Sequence, residues 1–124
     1  MKILLVEDDQ LMLKTIILRL KKEGHDITSC TDGKEAIEQI ENQIFDLIIT
    51  DIMLPYVSGL EIVGIVKETT STPIIVLSSM GQEKTIEEAF ELGADDYITK
   101  PFNLTELSFR IKRFAKAYEL QLAI

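Results

Sequence analysis

Short apolar runs alternate along this chain with longer segments whose apolar positions recur every three or four residues. The runs Ile3 to Val6, Phe45 to Thr50 and Ile74 to Leu77 are largely apolar and β-branched, the pattern of strands covered on both faces of a parallel sheet. Asp26 to Cys30 is shorter in apolar content and reads as a strand at a sheet edge, and Tyr97 to Thr99 as a fifth strand. Between them lie amphipathic helices. The first carries Leu11, Ile16, Ile17, Leu18 and Leu20 among Lys14, Arg19, Lys21 and Lys22, with Asp9 placed to cap its start and Gly24 to end it. The second runs from Lys34 to Asn42 with Ala36, Ile37 and Ile40 on one face. Leu60, Ile62, Val63 and Val66 mark the third, Glu83 to Leu92 the fourth, closed by Gly93, and Leu104 to about Leu122 the last. Asp32-Gly33 and the segment Ile52 to Gly59 read as turn and loop.

The order is strand then helix, repeated five times. Short connections between alternating elements imply parallel strands with helices on both faces, and right-handed crossovers fix the winding. The expected architecture is a flavodoxin-like (βα)5 three-layer sandwich with a five-stranded sheet in the order 2-1-3-4-5. A length of 124 residues fits one domain, 1–124, with a core large enough to need no staples.

In such a sheet the ligand crevice lies beyond the carboxyl ends of the strands, where the chain reverses direction between the first and third. The first strand ends in Glu7-Asp8-Asp9, the third in Asp51, the fourth in Ser78 and the fifth in Lys100. Carboxylates gathered there repel one another unless a cation or a lysine compensates. Hard oxygen donors suit Mg²⁺, a lysine and a hydroxyl would hold an incoming phosphoryl group, and an aspartate can be the oxygen nucleophile toward phosphorus. Asp9 is better assigned to capping the first helix.

Charge and composition narrow the partners. The net charge of −8 argues against this chain alone gripping nucleic acid. One cysteine, Cys30, excludes an internal disulfide and a cysteine-rich metal site. No run approaches the roughly 20 apolar residues of a membrane span. The beginning of the chain meets three acids too soon for a signal peptide, so a cytoplasmic location is expected.

The residues Leu5-Val6-Glu7-Asp8-Asp9, Asp51 with Met53-Leu54-Pro55 and Gly59, Pro73 to Ser78, and Gly93-Ala94-Asp95-Asp96-Tyr97-Ile98-Thr99-Lys100-Pro101-Phe102 together resemble the receiver domain of two-component response regulators. The resemblance covers essentially the whole chain. It implies that Asp51 accepts a phosphoryl group from a sensor histidine kinase. Mg²⁺ would be bound by Asp8, Asp51 and the backbone carbonyl of Met53, with Glu7 acting through a metal-bound water. Lys100 would hold a phosphoryl oxygen, the Lys100-Pro101 bond would be cis, and Ser78 with Tyr97 would form the switch pair that remodels the face of the fourth helix, fifth strand and fifth helix. Ser79 stands where the family usually has alanine. Met53 and Met80 place apolar side chains where polar ones in relatives position water, which implies slow loss of the phosphoryl group.

The segment Gly93 to Phe102 is most similar to receivers that precede a winged-helix DNA-binding domain, so transcriptional output and a phosphorylation-dependent homodimer are expected, with DNA contacted only through a separate domain. Asp96, Glu106 and Arg110 match part of that subfamily's dimer face. Ile86 and Ala117 stand where it has basic residues. The apolar end of the chain favours truncation from a longer regulator over a complete single-domain one. The alternatives are a stand-alone regulator acting by protein binding and a pseudo-receiver that works without phosphorylation. A phosphohydrolase would want a second acid where Met53 stands, and a flavodoxin-like cofactor protein a phosphate loop where Glu7-Asp8-Asp9 would repel it. The protein is expected to act as no enzyme beyond its own phosphorylation and dephosphorylation.

Overall fold

The computed structural model describes residues 1–123. Its elements run β1 (Lys2–Val6), α1 (Gln10–Lys22), β2 (Asp26–Cys30), α2 (Gly33–Asn42), β3 (Leu47–Asp51), α3 (Gly59–Thr69), β4 (Ile74–Ser78), α4 (Glu83–Leu92), β5 (Asp96–Thr99) and α5 (Leu104–Ala123). The five strands form one parallel sheet in the expected order β2-β1-β3-β4-β5.

Alternation along each strand feeds two cores. Leu4, Val6, Ile48, Ile74 and Val76 pack with Ala36, Ile62, Val63, Val66 and Ala89, beneath α2, α3 and α4. Ile3, Leu5, Leu47, Ile49, Ile75 and Leu77 pack against Leu13, Ile16, Leu20, Leu107 and Ile111, beneath α1 and α5. Each valine, leucine or isoleucine among them contributes about 1.5–3 kcal/mol when fully buried. The continuous apolar runs of β1, β3 and β4 are thus explained, since neither face of these strands meets water. At the edge, β2 keeps Asp26 and Ser29 exposed.

Several local expectations shift. The buried stripe of α1 is Leu13, Ile16 and Leu20, whereas Leu11 is 77% and Leu18 72% exposed. A helix turns 100° per residue, so Leu11 and Leu18, seven apart, share a stripe that faces away from the sheet. The second helix begins at Gly33, one residue before the expected Lys34, because Asp32 caps it by accepting from the Glu35 amide at 2.8 Å. His25 is half-buried, with Nδ1 3.2 Å from the terminal amine. Burial and that amine lower its pKa. Asp9 caps α1 as expected, accepting from the amides of Leu11 and Met12 at 3.0 and 3.1 Å.

Two polar links tie the outer elements. The buried Ser108 hydroxyl on α5 donates to Glu23, the residue that ends α1, at 2.7 Å. Lys67 on α3 donates to the Thr72 carbonyl and to Asp95, which also accepts from the Ile74 amide.

Gly59 opens α3 immediately beside the end of β3. Its amide donates to the Ile52 carbonyl at 2.9 Å, and a methyl group on its Cα would overlap the Asp51 carbonyl and the Ile52 Cα. Every obstructing atom is backbone, so no side chain can step aside. Gly59→Ala is expected to lower stability by about 1–3 kcal/mol, the usual cost of overpacking, seen as a reduced urea midpoint; an unchanged midpoint would contradict this packing.

Candidate functional site

Four strand ends converge on one pocket. β1 delivers Glu7 and Asp8, β3 Asp51, β4 Ser78 and β5 Lys100, and the 2-1-3 order sets Glu7 and Asp51 on neighbouring strands. Carboxylate oxygens of Glu7, Asp8 and Asp51 all lie within 4.8 Å of one another. Asp8 is exposed, while Glu7 and Asp51 are only 1% and 7% exposed.

Buried carboxylates this close need a counter-charge, and Lys100 supplies it. Its Nζ donates to Glu7 Oε1 at 2.5 Å and to Asp51 Oδ2 at 2.7 Å. Backbone amides fix the other oxygen of Asp51. Oδ1 accepts from Ile52 at 2.6 Å and Met53 at 3.2 Å, which orients the carboxylate and leaves Oδ2 facing the lysine. Glu7 Oε2 receives the Asp9 amide at 3.4 Å. Burial pushes the Glu7 carboxyl above its ordinary value, outweighing the pull of Lys100. Burial alone would lower Lys100, but its hydrogen bonds to Asp51 and Glu7 prevail and raise it.

Ser78 is fully buried and its Oγ accepts from the Met80 amide at 3.1 Å, while its carbonyl takes the Lys100 amide at 2.8 Å. The Tyr97 hydroxyl donates to the Met80 carbonyl at 2.5 Å, so Met80 is held at both its amide and its carbonyl, by Ser78 and Tyr97. Burial raises the Tyr97 pKa. The Lys100-Pro101 peptide bond is cis. Beside the acids a cleft of about 450 Å³ is lined by Asp8, Met53, Leu54, Pro55, Ser58, Leu60 and Met80, so that Asp8 borders a mostly apolar opening.

A family model for the response regulator receiver domain matches residues 3–112. The chain belongs to that family. It is 40% identical over 111 residues to the response regulator ArlR of Staphylococcus saprophyticus, covering 90% of this chain and 50% of that protein. It is 38% identical over 115 residues to the transcriptional regulatory protein CrdR of Helicobacter pylori, covering 91% and 54%. Among solved structures it is similar to the receiver domain of a Francisella response regulator, with 35% identity, a TM-score of 0.89 and coverage of 94% and 98%. It is also similar to DrrB of Thermotoga maritima, an OmpR/PhoB homolog, with 36% identity, a TM-score of 0.86 and coverage of 94% and 53%. The receiver spans about half the length of these curated relatives. Receiver domains are in general signalling rather than enzymatic modules, and they bind Mg²⁺ at an acidic pocket. They interact with sensor histidine kinases. No helix among the described residues is long and apolar enough to cross a membrane.

Some contacts of this receiver were beyond reach of its sequence. The amides that orient Asp51 carry no side-chain signal, and the Tyr97–Met80 link depends on a loop path. At the proposed dimer face, Asp96 and Arg110 pair within one chain at 2.6 Å, and Arg110 also reaches Glu106 at 3.4 Å. These contacts raise the Arg110 pKa, the Asp96 hydrogen bond foremost.

The raised Glu7 carboxyl has a consequence for stability. Between its unfolded value, near 4.5, and its higher folded value, the folded chain holds a proton that the unfolded chain has released. The contribution of Glu7 to stability therefore declines as pH rises through that window. Glu7→Gln leaves Lys100 paired with Asp51, and its urea midpoint is expected to exceed that of the parent by more at pH 7 than at pH 4; the reverse order would contradict the assignment.

Proposed function

We propose that Asp51 is the phosphoacceptor of this receiver and takes its phosphoryl group from a sensor histidine kinase. The observation that supports this most directly is the placement of Asp51: buried, oriented by two amides at Oδ1, with Oδ2 held against Lys100. In the transfer, an Asp51 oxygen forms the new bond to phosphorus as the phosphorus–nitrogen bond to the kinase imidazole breaks, and the electron pair leaves with that nitrogen.

The donor set fits Mg²⁺: three carboxylates within reach of one another, one of them open to solvent. Asp8, Asp51 and the Met53 carbonyl would hold the ion directly, and Glu7 through a water. Bound there, Mg²⁺ offsets carboxylate repulsion and the charge on the phosphoryl oxygens. Lys100 would exchange a carboxylate for a phosphoryl oxygen as its partner. The apolar rim of Met53 and Met80 offers no side-chain donor to orient water, which supports slow hydrolysis of the aspartyl phosphate.

Ser78 and Tyr97 connect this event to the surface. When the Ser78 hydroxyl turns toward a phosphoryl oxygen it gives up the Met80 amide, and the Tyr97 hydroxyl on the Met80 carbonyl carries the change to the start of α4. Phosphorylation then favours one arrangement of the face formed by α4, β5 and α5 by its differential contacts. The cytoplasm is the compartment, and transcription the output, exerted through a separate DNA-binding domain of a longer regulator. Regulators named for transcription among the relatives support that output.

Incubation with acetyl phosphate and Mg²⁺ followed by intact-mass measurement is expected to show one phosphoryl adduct that Asp51→Ala abolishes. An adduct surviving that substitution, or none on the parent chain, would refute the assignment. A homodimer through Asp96, Glu106 and Arg110 is expected to appear in analytical ultracentrifugation as a rise in mass when beryllofluoride is added at fixed salt and concentration. A mass that beryllofluoride leaves unchanged at high concentration would exclude it.

A further inference from the structure

The two helical layers of this domain carry opposite charge. On the surfaces of α1 and α5 the exposed cations Lys14, Lys21, Lys22, Lys112, Arg113 and Lys116 make no ion pair among the described residues. On the opposite side of the sheet, α3 exposes Glu61 and Glu68 and α4 exposes Glu83, Glu87, Glu88 and Glu91, and these too are free of ion pairs among the described residues. Each layer also has an apolar centre. Leu11 and Leu18 lie one above the other on α1, 77% and 72% exposed, with Lys14 between them and Lys21 and Lys22 beyond. Glu61, Ile65 and Glu68 share one stripe of α3, and Leu92 of α4 lies beside Gly64; Ile65 is 40% and Leu92 38% exposed.

An apolar centre with a charged rim is the anatomy of a protein interface, and here the two rims are of opposite sign. We infer that the Leu11–Leu18 stripe of α1 docks on the Glu61–Ile65–Glu68 stripe of α3 in a second copy of this chain. The two patches lie on opposite sides of the sheet, so the contact is heterologous and adds copies head to tail. It leaves Asp96, Glu106 and Arg110 uncovered, and it requires no phosphoryl group. Individual exposed ion pairs contribute little, so the association is weak and depends on the leucines as much as on the lysines.

Sedimentation of the unphosphorylated chain at high concentration tests this, at roughly 0.01 M and about 1 M salt, between which the Debye length falls from about 30 Å to about 3 Å. The expected result is a weight-average mass that rises with concentration at low salt and returns to that of the monomer at high salt. Leu18→Glu removes the α1 patch, and the double substitution Glu61→Lys with Glu68→Lys removes the α3 patch. All these positions are exposed, and circular dichroism checks that each variant is folded. Each variant alone is expected to stay monomeric at low salt, and an equimolar mixture to form a 1:1 complex, since one retains the acidic patch and the other the basic one. A parent monomeric at both salts overturns the inference, as does association that persists in Leu18→Glu or a mixture that forms no complex. Salt-sensitive binding to anionic vesicles without self-association overturns it in favour of a lipid surface.

Discussion

The structure depends on one compensation: a single lysine placed between two buried carboxylates. Glu7 and Asp51 end neighbouring strands of a parallel sheet, and a parallel sheet points every strand end the same way. Whatever charge the strands carry at their ends is therefore collected in one place, in a setting where it is poorly solvated. Lys100 arrives from the far strand, held in register by its own amide on the Ser78 carbonyl. Fold and site are in this sense the same fact, because the topology that buries the apolar runs also gathers the acids.

The compensation is incomplete in an informative way. One ammonium group serves two buried acids, with Asp8 at their edge, so the pocket stays rich in negative charge and open to a further cation. The same lysine is the natural ligand of an anion that would replace a carboxylate as its partner. A pocket of this kind is poised between two electrostatic states, and the loop at Met80, gripped by Ser78 and Tyr97, lies where the difference between them is felt.

Much of this was legible in the chain because the signals are local. Runs such as Ile74 to Leu77, the cap at Asp9 and the acids following Val6 each state their role within a few residues. The outward side of α1 was misread because Leu11 and Leu18 are apolar, and helical spacing alone cannot say which of two apolar stripes meets the sheet. The Ser108–Glu23 link joins residues 85 apart and the Glu7–Lys100 pair residues 93 apart. No spacing rule reaches that far, and Lys100 came to the acids only through the strand order expected of the sheet. The amides on Asp51 are backbone and have no residue type to read.

The link between Ser108 and Glu23 has a mechanical side. α5 begins four positions after Lys100 and ends at Ala123, and Ser108 fastens it to α1 near its start. At 1.5 Å per residue, the segment from Leu104 to Ser108 is about 6 Å long and that from Ser108 to Ala123 about 22 Å. The arms on either side of that point are unequal. A rigid helix turning about it would carry half an ångström of movement beside the acidic pocket to about 2 Å at the far end. The buried side chains of Leu107 and Ile111, on either side of Ser108, are what resist such a turn, so the core beneath α5 sets how much of any rearrangement around Lys100 reaches the opposite pole of the domain.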